Sequence, residues 1–172
     1  MMRSALSMLS VAAILAVSGL PAAQAQTVAV AEFNQALLDG WLRAVPAMAT
    51  LNASTDAPKT DEALRPHMER ICTEAGFASF EQCGTTIAYA GILFSGFDPR
   101  TRTFKNPSDA MRERIALIEG NAQMPLQAKE AMLAPMMEAA AGFPKDIPDA
   151  HLRLMADNRD RIFKALKPGG KQ

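Results

Sequence analysis

Very little in this chain can carry polar chemistry on its own. Of 172 residues, two are histidine, two cysteine, one tryptophan and one tyrosine, and the other aromatics are eight phenylalanines. Two histidines leave few ways to build a nucleophile–base pair, and a Ser-His-Asp set assembled from His67 or His151 is singled out by nothing in the order of the chain. Glycine-rich phosphate loops, H-E-x-x-H and dinucleotide fingerprints are absent, so no catalytic residue is assigned. C-x-x-C-H is missing, which removes covalent haem attachment. Runs of β-branched residues are lacking too, while alanine, leucine and methionine are plentiful. That composition leans towards helix and points to an all-α chain.

Net charge is the next absence. Eighteen basic residues balance eighteen acidic ones, and Arg3 is the one charged residue of the first 25, leaving 17 basic and 18 acidic side chains beyond it. A balance near −1 gives no field to collect nucleic acid or an anionic membrane. The longest apolar run, Ala5 to Leu20, is about 16 residues, short of the roughly 20 that span a bilayer. It follows Arg3, is broken by Pro21 and leads to Ala23-Gln24-Ala25, the layout of a secretory signal peptide cleaved after Ala25. Residues 1–25 are therefore read as an export signal directing the protein to the periplasm, with no stable membrane insertion after cleavage. No cysteine at the cleavage site points to a lipid anchor. Residues 26–172 fit one helical domain, with 167–172 (Pro168-Gly169-Gly170 within it) as a frayed tail.

The periodicity predicts a bundle of five or six short helices around an apolar central helix. The first runs from about Glu32 to Leu51 on the stripe Phe33, Leu37, Trp41, Val45, Met48 and Leu51, with Pro46 kinking or splitting it. The second ends near Ala75, with Gly76 left-handed; Thr60 looks like its cap, but Pro66 suits a first turn better than an interior, so the regular part is expected from near Arg65. Ser79 and Gln82 form a capping box for the third, whose segment Ile87 to Phe94 is apolar all round and central. Ser108 and Asp109 cap the fourth, with Met111, Ile115 and Ile118 inward. Pro125 opens the fifth, with Leu126, Met132, Leu133, Met136 and Met137 inward and a bend at Pro135. The sixth runs from Asp149 to Leu166 with Leu154, Met155, Ile162 and Phe163 facing the core.

Cys72 and Cys83 lie about one turn from the facing ends of helices two and three, in an oxidising compartment, and a structural disulfide is expected between them. A redox pair normally sits closer, as C-x-x-C; two reduced thiols serving as ligands are the other alternative. His67-Met68 precedes Cys72, and Met132–Met136 and His151–Met155 are i, i+4 pairs on one helical face. Thioether and imidazole suit Cu(I), so these residues form an alternative copper site. The same spacing is what a core stripe requires, and methionine fills cores without a metal. No other cofactor is implied. The loop Arg100, Arg102, Phe104, Lys105 sets three cations around one ring and could dock an acidic partner.

These features favour a non-catalytic binding or interaction module, taking another protein or a small apolar ligand between its helices. The stretch Gly76-Phe77-Ala78-Ser79-Phe80-Glu81, with Gly91, Asp98-Pro99 and Thr103-Phe104, resembles small exported helical proteins of α-proteobacteria. The likeness spans most of the chain beyond the signal and implies a periplasmic helical domain. It carries over no catalytic or ligand residue, and Cys72 and Cys83 stand outside its pattern.

Overall fold

A computed structural model describes residues 33–54, 58 and 60–166. The expected export signal and the frayed tail fall outside these residues. The described chain is all-α: seven helices and no strand, apart from one isolated antiparallel bridge between Phe97 and Phe104.

Helix α1 (Gln35–Ala53) starts three residues later than its stripe suggested, because Asn34 caps it. The Asn34 side chain accepts from the backbone N–H of Ala36 and Leu37, at 3.0 and 3.2 Å, satisfying two donors that a helix start leaves open. Pro46 does not split it. One lost backbone bond is outweighed by the buried stripe continuing on both sides, through Trp41, Ala44, Val45 and Met48. Leu38, outside the expected stripe, is fully buried.

Helix α2 (Asp61–Glu74) begins at the Thr60 cap, four residues before the expected Arg65. Pro66 is tolerated because the carbonyl it leaves unbonded belongs to Glu62, which is exposed and can bind water. Gly76 takes φ +89°, the left-handed conformation expected of a residue that ends a helix. The Arg43 guanidinium donates to the Ala75 carbonyl at 2.7 Å, tying this helix end to α1.

Helix α3 (Phe80–Phe94) is capped by Ser79 as predicted, with the return bond of the capping box made one residue earlier, to Ala78. Ser79 Oγ accepts from Gln82 N–H at 3.0 Å, and Gln82 Oε1 accepts from Ala78 N–H at 2.9 Å. A disulfide joins Cys72 to Cys83 with the Cα atoms 5.8 Å apart. Around it pack Ala44, Met48, Ala75 and Phe77, and the tip of the Phe77 ring comes so close to α1 that a Cβ at Gly40 would lie 2.8 Å from it.

Helix α4 (Pro107–Glu119) is capped by Asn106, not by Ser108 or Asp109. Proline's fixed φ suits the first helical position, which moves the start forward. Helix α5 (Leu126–Ala141) follows a tight turn and takes Pro125 as its cap residue. The single helix expected over 149–166 is two: α6 (Asp149–Asp157) and α7 (Arg159–Ala165). They join at Asn158, whose side-chain N–H₂ donates to the Leu154 carbonyl at 2.9 Å and to Gln35 Oε1 at 3.1 Å. Asparagine competes for helix carbonyls in this way, which is why it breaks helices more often than it extends them.

Helix α3 is central, as predicted, and packs against α1, α2, α4 and α6. Leu38 and Trp41 of α1, Tyr89, Ala90 and Leu93 of α3, and Met155 and Ile162 of the last two helices close one core.

Candidate interaction surface

Sequence reasoning missed one feature of this core. Tyr89 and His151, 62 residues apart, meet with Oη 2.8 Å from Nδ1, both buried, and the Phe33 ring stands edge-on to each. No local spacing could reveal the pair, since it exists only once α6 docks on α3. Burial pushes the Tyr89 hydroxyl up from 10.0 to about 12, so it keeps its proton at neutral pH. The donor of the Oη–Nδ1 hydrogen bond is set by the His151 tautomer. Burial lowers the His151 pKa from its ordinary value of 6.5.

Two limits on stability follow. His151 binds a proton more readily in the unfolded chain, so stability is held above pH 6.5 and declines as pH falls towards the lowered folded value. Tyr89 ionises more readily when unfolded, so stability is held below pH 10.0 and declines as pH rises towards about 12. Denaturation midpoints measured across pH should form a plateau between these limits. The acid decline should shrink in His151→Gln and the alkaline one in Tyr89→Phe; declines unchanged by those variants would contradict the burial of these two groups.

The basic loop is mostly engaged within the molecule. Asp98 Oδ1 accepts from the backbone N–H of Thr101 and of Arg100, both at 2.8 Å, and these bonds hold its carboxyl below the usual range. Phe104 is half-buried, 4.6 Å from the Phe97 ring, and the chain closes so tightly that a Cβ at Gly96 would overlap the Lys105 carbonyl oxygen. The Arg102 guanidinium lies 5.1 Å above the Phe163 ring. Lys105 Nζ meets both carboxylate oxygens of Glu113 at 2.8 Å. Arg100 is exposed.

The soft-ligand residues are placed as pairs on three separate helices, α2, α5 and α6. His67 and Met68 lie half-buried on α2, which packs on α1 and α3, and Cys72 is committed to its disulfide. On α6, His151 is bonded to Tyr89 and Met155 is fully enclosed. Met132 and Met136 lie on α5. Among the described residues, no three His, Cys, Asp or Glu side chains are grouped as metal ligands.

Helix α5 departs most from expectation. Its apolar residues do not face a core, and none of its side chains is buried. It packs against α4 through Lys129, Leu133, Met136 and Ala140, half-buried at three- and four-residue steps. Lys129 Nζ turns in to cap the Glu119 carbonyl at 2.8 Å. Leu126 is 71% exposed, Met137 57% and Met132 45%, and Leu117 on α4 is 75% exposed. The periodicity was real, but α4 is too narrow to cover more than one side of it. A concavity of about 500 Å³ near the start of α4 is open and lined by Lys105, Asn106, Asp109, Arg112 and Glu113. That polar lining does not suit an apolar ligand.

Comparison of the chain with protein-family models, curated proteins and solved structures finds no match. Among the described residues, no helix is long and apolar enough to cross a membrane.

Proposed function

We propose that the protein is exported to the periplasm and works there as a non-catalytic interaction module, with the α4–α5 hairpin as its working surface. The observation that carries this reading is α5, a 16-residue helix that buries no side chain and leaves Leu126, Met132 and Met137 in water. Apolar area costs about 25 cal/mol per Å² while it stays wet, so large apolar side chains exposed on both flanks of the α4 contact are stabilised by a partner that covers them. The leader layout of residues 1–25 and the disulfide Cys72–Cys83 support the compartment. The resemblance to small exported helical proteins agrees with it.

Photo-crosslinking in cells tests the reading. A photoreactive residue at position 132 or 137 of the full chain should give discrete crosslinked products in the periplasmic fraction. The same residue at exposed Arg70, on α2, should not. Equal products from all three positions, or none from any, would overturn the proposed surface, and intact mass would show whether the exported chain begins at Gln26.

A further inference from the structure

The side chains that oxidants attack most readily are nearly all sheltered in this fold. Both cysteines of the chain are joined in the buried disulfide, so no free thiol competes for an oxidant. Trp41, Tyr89 and His151 are buried, and so are Met48, Met111 and Met155. Met68, Met124 and Met136 are half-buried. Met132 and Met137 differ: they are exposed, on the one long helix that buries no side chain. By helical spacing they flank the contact of Leu133 and Met136 with α4 on its two sides, so neither thioether is needed in that contact. Reactive sulfur is therefore in water where the packing depends on it least.

We propose that Met132 and Met137 form a sacrificial oxidation site, which consumes hypohalous acids before they reach the core. In the net step at each sulfur, the thioether gains one oxygen and gives up two electrons. The O–Cl bond of hypochlorous acid breaks, and chloride and a proton leave. The product is a sulfoxide, which is polar and disrupts a core that has to hold it. Met155, enclosed with Leu93 and Ile162, has no room or partner for such an oxygen. On α5 the added oxygen stays in water, so the fold survives the reaction. The site belongs to the chain itself and does not rest on the interaction reading. Sulfoxide at 132 and 137 reports an oxidant, whereas a crosslink there reports a partner.

The test treats the disulfide-intact protein with limiting hypochlorous acid and locates the added oxygen by peptide mass spectrometry. Sulfoxide should form at Met132 and Met137 at least about tenfold faster than at Met48, Met111 or Met155. With those two oxidised, far-UV circular dichroism and the denaturation midpoint should match the untreated protein. Unfolding in urea should erase the selectivity, because exposure sets it. Met132→Leu with Met137→Leu keeps the volume at two exposed sites and should fold like the parent. That variant should lose its fold at a lower dose of oxidant. Leu126→Ala, which alters an exposed side chain of α5 without removing sulfur, should leave the dose unchanged. Core methionines oxidised as fast as Met132 and Met137 would overturn the proposal. So would a midpoint that falls while only those two carry oxygen, or a leucine variant as resistant as the parent.

Discussion

Leu93→Ala should lower the stability of the fold by about 2–5 kcal/mol, measured as a shift in the denaturation midpoint. Leu93 is 0% exposed near the end of α3, the helix on which α1, α2, α4 and α6 all pack. It shares the core with Leu38 and Trp41 from the start of the described chain and Met155 and Ile162 from its end. Truncation there removes transfer free energy and leaves a cavity whose walls belong to several helices, so little collapse can fill it. Leu117→Ala provides the contrast. That side chain is 75% exposed, and its loss should change stability by no more than about 0.5 kcal/mol. Similar losses for the two variants would mean that α3 is not the centre of the bundle.

Reducing the Cys72–Cys83 bond should cost roughly 3 kcal/mol, because the bridge removes conformational freedom from the unfolded chain in proportion to the loop it closes. The two cysteines are 11 residues apart and, at 1% and 0% exposure, enclosed beside Ala44, Met48 and Phe77. Parallel denaturation of oxidised and reduced protein measures the effect directly. The Cys72→Ala/Cys83→Ala variant checks it, since alanine adds no buried hydroxyl in need of a partner. A midpoint indifferent to reductant would show that the bond contributes nothing to this fold.

What could be read from the chain beforehand was local. Ser79 and Gln82 announce a helix start because each supplies the atom that an open backbone donor needs within four residues. Gly76, Cys72 and Cys83 are legible for the same reason: the turn between two helices decides what lies opposite what. Pro66 misled because proline's cost depends on whether the carbonyl it strands can reach water, which spacing does not tell. Leu126, Met132 and Met137 misled more seriously. A stripe on a helix says that the side chains share a face, but whether a neighbour covers that face is decided elsewhere in the chain. Tyr89 and His151 were invisible for the complementary reason, since their meeting depends on where α6 docks.

The docking of α7 on α1 bears on the order in which the molecule assembles. Gln35 bonds Asn158 across 123 positions, and Arg161 reaches Asp39 across 122. The α2–α3 hairpin with its short crosslinked loop can form as soon as its own segment is free, but Leu38 and Leu93 stay open to water until Met155 and Ile162 arrive. Joining such distant segments costs more loop-closure entropy than closing the α2–α3 hairpin, which favours its forming later. In a chain threaded across a membrane N-terminus first, the half-built core would spend that interval as the species most exposed to proteases and to aggregation.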